Sequence, residues 1–439
     1  MQSFVVNGGR RLSGRLSVQG SKNSALPILA AAFLVNGTSI IHNVPDLSDT
    51  RCTLKILSEL GCTIRKEGST VIVNSEGAQG FEIRESLMRE MRSSVVFLGA
   101  IIGRCGKAVI SSPGGCEIGL RPIDLHLYAM KRLGVCVDES FGKLSCTVQN
   151  ALVGEKITFS FPSVGATENA ILAAVTAKGT TVIVNSAREP EISDLCDFLN
   201  KCGAKIQGAG ESIITIEGVN SLQGAEHSVI CDRIAASTYL VAGAVTGGDV
   251  ELLNTNPAHL NSVLPVLEEA GCDIRVRCKS IRLKASRRLN RMDKIITQPY
   301  PGFPTDSQAL FTTLASVAKG TSVIVENIFE CRFKHVPELL RMGAKIRTEG
   351  RVAVVEGVER LYGADVHSQD LRGGAALVLA GLCAEGTTNI SDIQFIDRGY
   401  ADLENCLCSL NADIYRKVKQ DGATQKKFTK TCSDEDYSA

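Results

Sequence analysis

Six short segments of the sequence combine side chains that cap helices with side chains that bind anions. Four of them place a cation at the start of an apolar run: Lys22, Arg92, Arg233 and Arg372. The free N–H groups and partial positive charge at a helix N-terminus bind phosphate or carboxylate, and an added cation strengthens such a site. A plain helix cap needs no cation, although capping remains the simpler interpretation for Asp232, Asp306 and Asp370 taken alone. The segments are Ser21-Lys22-Asn23-Ser24, Arg92-Ser93-Ser94, Ser163-Val164-Gly165-Ala166-Thr167, Asp232-Arg233, Thr305-Asp306-Ser307 and Asp370-Leu371-Arg372.

A second candidate is the segment from Ser111 to Pro122, which holds three glycines, two prolines and Cys116. This composition predicts a long irregular loop, a kind of loop that often covers an active site. A thiol beside Arg121 would have a lowered pKa and could act as an acid or a nucleophile, but an inert thiol is an equally good interpretation. His126 is better assigned to the following helix than to a partnership with Cys116.

Two arginines of the second half, Arg332 and Arg398, fall in predicted strand-to-helix loops. A guanidinium there could clamp a carboxylate or phosphate, although each arginine alone could equally form a surface ion pair. The sequence has no Walker A motif and no set of residues with metal-ligand spacing. We therefore predict neither a metal nor a cofactor.

The elements that position these residues repeat six times. A helix end followed by a strand recurs at Gly61, Gly134, Gly203, Gly271, Gly343 and Asn411. A second marker, usually Gly-Thr, precedes it at Gly37, Gly106, Gly179, Gly248, Gly320 and Gly386. Each unit reads apolar helix, Gly-Thr, strand, loop, amphipathic helix, glycine, strand. The first helices, such as 25–35, 170–177 and 375–382, are apolar on every side and should be buried. Two α/β halves of three units each, with helices inside and sheets outside, are the predicted fold.

Composition excludes several classes of protein. The chain has 439 residues, 48 Lys plus Arg against 47 Asp plus Glu, and a net charge of +1, so no basic surface for nucleic acid is indicated. The longest apolar stretch, 25–35, is short of the roughly 20 residues of a membrane helix. The 16 cysteines lack CxxC pairs, which is typical of reduced thiols. No signal peptide is visible at the amino terminus, so we expect a cytoplasmic protein, with a loose polar tail over residues 416–439.

Four motifs resemble those of the UDP-N-acetylglucosamine enolpyruvyl transferases, a family of the EPSP synthase superfamily. The likeness extends from about residue 4 to residue 415. It implies two similar inside-out α/β domains of three βαβαββ units: 22–230 as the first, and 1–21 with 231–415 as the second. The motifs are Gly20-Ser-Lys22-Asn23-Ser-Ala-Leu-Pro27, Pro113-Gly-Gly-Cys116-Glu-Ile-Gly-Leu-Arg121-Pro-Ile-Asp124, Phe303-Pro-Thr-Asp306 and Ile396-Asp397-Arg398-Gly-Tyr400.

The resemblance implies transfer of the enolpyruvyl group of phosphoenolpyruvate to the 3-hydroxyl of UDP-N-acetylglucosamine, the first committed step of peptidoglycan synthesis. Cys116 would donate the proton, form an adduct with phosphoenolpyruvate and be alkylated by epoxides of the fosfomycin type. Asp306 would be the base. Phosphoenolpyruvate would be held by Lys22, Asn23, Arg121 and Arg398 and, at its carboxylate, by Arg332 and Arg372. The sugar nucleotide would be held by Asn23, Arg92, Arg121, Pro122, Ile123, Asp124, Leu125, Ser163, Val164, Gly165, Asp306 and Ile328.

Three positions depart from the commoner family pattern: Cys331, Ala235 and Phe161. Two alternatives stay open, the related enolpyruvyl transferase of the shikimate pathway and a sugar-nucleotide-binding relative that has lost catalysis. The Cys116 segment argues against the first, and Lys22, Cys116, Asp306 and Arg398 together argue against the second. A thiol hydrolase built on Cys116 lacks a convincing histidine. The sequence leaves the oligomeric state open.

Overall fold

The computed structural model describes residues 2–111, 123–420 and 423–426. Two strands precede the first unit, β1 (Gln2–Asn7) and β2 (Ser13–Ser17). The first unit contains α1 (Lys22–Leu34), β3 (Thr38–His42), α2 (Ser48–Glu59), β4 (Thr63–Glu67) and β5 (Thr70–Asn74). The second contains α3 (Glu85–Glu90), a 3₁₀ helix (Arg92–Val96), α4 (Phe97–Cys105), β6 (Lys107–Ser111), α5 (Asp124–Arg132), β7 (Val135–Ser140) and β8 (Lys143–Val148). The third contains β9 (Lys156–Thr158), α6 (Val164–Ala174), β10 (Thr180–Val184), α7 (Pro190–Lys201), β11 (Lys205–Gln207) and β12 (Ile213–Glu217).

The remaining three units follow the same order. The fourth contains β13 (Glu226–Ser228), α8 (Arg233–Val245), β14 (Asp249–Leu253), a 3₁₀ helix (Pro257–Leu260), α9 (Leu264–Glu269), β15 (Asp273–Arg277) and β16 (Ser280–Lys284). The fifth contains β17 (Lys294–Ile296), α10 (Thr305–Val317), β18 (Thr321–Val325), α11 (Val336–Arg341), β19 (Lys345–Glu349) and β20 (Val352–Glu356). The sixth contains β21 (Asp365–His367), α12 (Leu371–Cys383), β22 (Thr387–Ser391), a 3₁₀ helix (Ile393–Arg398), α13 (Leu403–Ser409), β23 (Asp413–Gln420) and β24 (Ala423–Lys426).

The strands of the described residues form six sheets around two separate hydrophobic cores. One core consists of residues between 25 and 229, and the other joins residues 4–18 to residues 235–414. Each core contains three buried helices, α1, α4 and α6 in the first and α8, α10 and α12 in the second. The predicted α/β class, with buried helices and outer sheets, is confirmed. The domain boundaries at 22 and 231 stay a prediction.

The amino-terminal strands lie in the second core's sheets. Strand β1 runs antiparallel between β22 and β23, and β2 runs parallel to β14. The segment 18–21 therefore passes from the second core to the start of α1 in the first. The chain returns through residues 229–232, which lie beside it. We call these two stretches the crossover segments.

The six predicted helix ends have the backbone conformation expected of them. Gly61, Gly134, Gly203, Gly271 and Gly343 have φ between 91° and 101°, and Asn411 has φ 74°. This left-handed region is favoured by glycine and next by asparagine, and it lets the chain reverse from helix into strand. At the Gly-Thr marker of the fourth unit, Gly247 (φ 64°) adopts this conformation instead of Gly248.

The prediction of a loose tail from residue 416 is wrong for the part that the structure describes. Strand β23 pairs with β1 as far as Val418, and it continues to Gln420 in its pairing with β24. Arg416 explains part of the error, because its guanidinium is neutralised by Asp397 and Glu404 and lies over the Phe4 ring. A polar sequence can thus form a strand when a charged side chain such as Arg416 is paired beside the sheet.

Candidate functional site

Asp49 binds two of the predicted phosphate ligands at once. The Lys22 Nζ atom lies 3.1 Å from Asp49 Oδ2, and the Arg398 Nε atom lies 3.0 Å from Asp49 Oδ1. Lys22 begins α1, whose first turn is capped by the Ser21 hydroxyl, whereas Arg398 ends a 3₁₀ helix in the second core. The sequence predictions for Lys22 and Arg398 therefore converge on one place. Asp49 was not among the predicted residues.

The electrostatics of Asp49 show how strongly the two cations act on it. The carboxylate is almost fully buried, at 3% exposure, and burial alone would raise its pKa. The charges of Lys22 and Arg398 outweigh burial, and the pKa of Asp49 lies below its usual value. Asp49 is therefore an ionised carboxylate that links the two cores.

Asp306 forms the centre of a second cluster, together with Arg332 and Arg372. The carboxylate, in the first turn of α10, accepts a hydrogen bond from Arg332 Nη2 and lies 3.2 Å from Arg372 Nη2. Both arginine side chains are less than 5% exposed. Arg332 Nε and Arg372 Nη1 are buried and have no hydrogen-bond partner among the described residues. Buried guanidinium N–H groups of this kind fit an anion, such as a carboxylate, that binds beside Asp306.

Arg372 keeps its charge in spite of complete burial. Burial by itself would lower the pKa of its guanidinium, but Tyr400, Asp306 and Asp232 more than compensate, so the pKa is raised above its usual value. The Tyr400 ring lies 5.4 Å from the guanidinium carbon. A permanent cation is thus fixed next to the carboxylate of Asp306.

Asp232 joins the start of α1 to the start of α8. It caps α8 by accepting from the amides of Ile234 and Ala235, and its second oxygen accepts from the backbone N–H of Lys22 at 3.4 Å. The starts of α1 and α8, one in each core, therefore meet at a single carboxylate. Next to them, Arg233 donates to Glu191 at 3.0 Å, another contact between the cores.

Glu326 is a further residue that the sequence reasoning missed. Its fully buried carboxylate accepts from the Thr305 hydroxyl and from the amides of Ile328 and Phe329. It thereby fixes Ile328, a predicted sugar ligand, against the residue before Asp306. The sequence signal that could have indicated this residue is a glutamate directly after the β-branched strand Thr321–Val325.

The predicted sugar-nucleotide residues Ser163, Val164 and Gly165 form the first turn of α6. Ser163 caps it, and an added Cβ on Gly165 would lie 2.9 Å from Cε1 of His126. His126 lies in α5 and is hydrogen bonded to Asn169, as its assignment to that helix predicted. The close contact brings the start of α5 beside α6. Two more predicted ligands, Asp124 and Leu125, occupy that start, directly after Ile123.

Several predictions lie outside what the structure describes or differ from it. Cys116, Arg121 and Pro122 lie outside the described residues, and only the backbone of Arg92, in a 3₁₀ helix, is described. Side-chain capping holds for Ser21, Ser163, Asp232 and Asp370. It is wrong for the other two segments, because α4 follows the 3₁₀ turn without a cap and α10 begins after Pro304.

The three departures from the family pattern fall in different environments. Cys331 is exposed beside buried Arg332, and Phe161 is exposed just before the cap of α6. Ala235 is fully buried and donates its amide to Asp232. None of the three positions is a member of the Asp49 cluster or of the Asp306 cluster, so both clusters are complete in this chain.

Among the described residues, no group of His, Cys, Asp and Glu could hold a metal ion. No helix in the same part of the chain is long and apolar enough to cross a bilayer.

Two halves with buried helices and outer sheets, with cations from both meeting at the buried carboxylate of Asp49, define a class of protein, the enolpyruvyl transferases. The chain is similar over 94% of its length to the enolpyruvyl transferase NikO of Streptomyces tendae, with a TM-score of 0.85 and 26% identity. An EPSP synthase of Acinetobacter baumannii, at 19% identity and a TM-score of 0.72, shares the fold.

Comparison with protein sequences identifies the group within the enolpyruvyl transferases that the chain resembles in sequence. The family model of EPSP synthase (3-phosphoshikimate 1-carboxyvinyltransferase) matches residues 6–407. UDP-N-acetylglucosamine 1-carboxyvinyltransferase 2 of Caldanaerobacter subterraneus is 49% identical over 95% of this chain and 100% of its own length. The corresponding proteins of Symbiobacterium thermophilum, at 50% identity over 94% and 95%, and of Myxococcus xanthus, at 47% over 95% and 100%, are similar to the same extent. The chain belongs to the EPSP synthase family, in its group of UDP-N-acetylglucosamine 1-carboxyvinyltransferases.

Proposed function

We propose that this protein transfers the enolpyruvyl group of phosphoenolpyruvate to the 3-hydroxyl of UDP-N-acetylglucosamine and releases phosphate. The observation that carries the proposal is the pair of buried arginines at Asp306, because Nε of Arg332 and Nη1 of Arg372 are buried and have no hydrogen-bond partner among the described residues. They suit the carboxylate of phosphoenolpyruvate, and they lie beside a carboxylate that can act as a base. The names of the similar proteins supply the sugar nucleotide.

The phosphate of phosphoenolpyruvate would replace Asp49 as the partner of Lys22 and Arg398. Both cations are already oriented toward one anionic group, so binding exchanges one anion for another without assembling a new site. Arg121, outside the described residues, would add a third cation. Asn23, one residue after Lys22, would stand between the two substrates.

The reaction requires two proton transfers in its first step. A proton from Cys116 adds to the methylene carbon of phosphoenolpyruvate, while the 3-hydroxyl oxygen attacks the neighbouring carbon and its proton passes to Asp306. The product of addition is a tetrahedral phospholactoyl ketal. Elimination would then pass a proton from the new methyl group back to the Cys116 thiolate, and the C–O bond to phosphate breaks with its electron pair leaving on the phosphate. Lys22 and Arg398 would stabilise that developing charge.

The sugar nucleotide would lie along the first turns of α5 and α6. Val164 and Gly165 offer N–H groups of the first helical turn there, next to the Ser163 hydroxyl, and such groups suit a diphosphate. Ile328, Asp124 and the segment containing Arg121, Pro122 and Ile123 would bound the uridine and the sugar, with Arg92 nearby. Phosphoenolpyruvate and UDP-N-acetylglucosamine are metabolites of the cytoplasm, where we propose that the protein acts in peptidoglycan synthesis.

The test is phosphate release from phosphoenolpyruvate by the purified chain. We expect release that depends on UDP-N-acetylglucosamine and is absent with shikimate 3-phosphate. Release with shikimate 3-phosphate alone would assign the chain to the shikimate pathway instead. Binding of UDP-N-acetylglucosamine without any phosphate release would identify a non-catalytic relative.

A further inference from the structure

Gln19, in the first crossover segment, binds the loop after Arg398 through its side chain. The two crossover segments lie side by side, with Gly20 bridged to Cys231 and the Asp232 amide donating to the Gln19 carbonyl at 2.9 Å. The Gln19 side chain leaves this pair of strands. Its Nε2 donates to the Gly399 carbonyl at 3.1 Å, and its Oε1 accepts from the Ala401 amide at 2.8 Å.

These two bonds hold the backbone on either side of Tyr400, as a neighbouring β-strand would. Gln19 lies 380 and 382 residues away from its two partners, so the contact is purely tertiary. Both bonds are needed to fix the direction of the loop, because one alone would leave a free rotation about the contact.

The loop that Gln19 grips connects two cations of the site. Arg398, directly before it, pairs with Asp49. Tyr400, inside it, is fully buried, bonds the Thr238 hydroxyl at 2.8 Å and lies against the Arg372 guanidinium. A shift of residues 399–401 would therefore displace the Arg398 guanidinium and the support of Arg372 together.

We propose that Gln19 is a positioning residue for phosphoenolpyruvate, acting through the backbone of residues 399–401 on Arg398 and Arg372. The proposal rests on the proposed function. Because Gln19 belongs to a crossover segment, it ties the position of both cations to the place where the two cores join. A residue with a merely structural role would instead affect stability and both substrates alike.

The test uses three variants of the full chain. Gln19→Met keeps the length and apolar stem of the side chain but removes both hydrogen bonds. Gln19→Glu keeps the acceptor for Ala401 and loses the donor to Gly399. Gln394→Met is the matched control, since Gln394 is an exposed residue of the preceding 3₁₀ helix and its amide donates to the nearby Asp392 carboxylate.

For Gln19→Met we expect the KM for phosphoenolpyruvate to rise about tenfold, the size expected for two lost hydrogen bonds. The KM for UDP-N-acetylglucosamine and the thermal midpoint should change little, Gln19→Glu should be intermediate, and Gln394→Met should match the parent chain. Equal rises in both KM values with a lower thermal midpoint would overturn the proposal in favour of a structural role. Unchanged kinetics would overturn it as well.

Binding of inorganic phosphate, measured by calorimetry without turnover, separates this proposal from the proposed function. Weaker phosphate binding by Gln19→Met than by the parent chain supports positioning even if the parent chain fails to turn over UDP-N-acetylglucosamine. If the parent chain turns over UDP-N-acetylglucosamine and Gln19→Met binds phosphate as tightly as the parent chain, the positioning role of Gln19 is contradicted and the proposed function is not.

Discussion

At the scale of single residues, each of the two buried clusters has one carboxylate shared by two cations. Asp49 is bound by Lys22 and Arg398, and Asp306 by Arg332 and Arg372. Removing one member of such a set leaves a buried charge without compensation, which costs more than the contact itself contributes. Substitutions at the two carboxylates therefore test different properties: Asp306→Asn tests catalysis, and Asp49→Asn tests the stability of the folded chain.

Asp306→Asn should lose turnover by at least about a hundredfold, because an amide cannot take the hydroxyl proton. The amide oxygen can still accept from one arginine, so binding of UDP-N-acetylglucosamine should stay within a few-fold of the parent chain. Steady-state kinetics and calorimetric binding measure the two effects. Near-normal turnover would show that another group is the base.

Asp49→Asn should destabilise the ligand-free chain by about 1–3 kcal/mol near neutral pH, since Lys22 and Arg398 lose their common counter-ion. The pKa of Asp49 is lowered in the folded state, so its stabilising effect is present above the usual value of 3.8 and is lost as the pH falls through the folded value. Urea unfolding at a series of pH values should show the two chains converging at the acid end. A difference that grows toward low pH would contradict this assignment.

Cys116 should be alkylated by an epoxide phosphonate of the fosfomycin type, because the proposed phosphate site would hold the phosphonate beside the thiol. Intact-mass and peptide mass spectrometry should find one adduct, on Cys116. Exposed Cys136, Cys278 and Cys408 serve as internal controls for unspecific alkylation. Modification of those thiols without Cys116 would count against the proposed role.

The sequence predicted the cations of the site but not the carboxylate that joins two of them. Lys22 and Arg398 stood out because each begins or precedes an element in a recognisable motif. Asp49 looks like an ordinary acidic residue in the first turn of α2, and its partners are 27 and 349 residues away. Contacts over such distances depend on how the two cores meet, which local spacing does not encode.

At the scale of elements, the repeat was the most informative signal. Six left-handed helix ends follow from glycine or asparagine at fixed places, since few other residues adopt that backbone without strain. Capping was less predictable. Thr305 looked like a cap, yet Pro304 precedes the helix and the Thr305 hydroxyl bonds Glu326 instead. The polar strand β23 was missed because its partner, β1, lies at the other end of the chain.

Asn411 is the one helix end of the six without glycine. A substitution there tests whether the left-handed backbone conformation at these ends favours glycine. Asn411→Gly should stabilise the chain by about 0.5–1 kcal/mol, because glycine adopts φ 74° without a Cβ clash. Asn405→Gly, the same change inside α13, should destabilise by about 0.5–1 kcal/mol, because glycine is a poorer helix former and the Asn405 amide donates to the Asp402 carboxylate. Urea unfolding compares the two. Equal effects of both substitutions would contradict the role given to the left-handed backbone.

At the scale of the whole molecule, the contacts that join the two cores include Arg398 to Asp49, Arg233 to Glu191, and the Lys22 amide to Asp232. All three lie where the helix starts of both cores face each other. Substrates that bind there would contact both cores and hold them together.

UDP-N-acetylglucosamine should therefore slow cleavage of the Cys116 segment by endoproteinase Glu-C, which cuts after Glu117, by at least several-fold. Fragment masses over time give the rate. Cleavage after exposed Glu359 is the control and should not change. Equal protection at both sites would indicate general stabilisation and contradict closure over the substrate.

The pairing of β1 with β22 and β23 has a consequence for how the protein is made. Strand β1 is translated long before its partners, which begin at residue 387. Residues 25–229 can assemble their core during synthesis, whereas β1 stays unpaired until residues 387–418 have been translated. Premature termination before residue 413 would thus leave one edge of β1 open and exposed to aggregation.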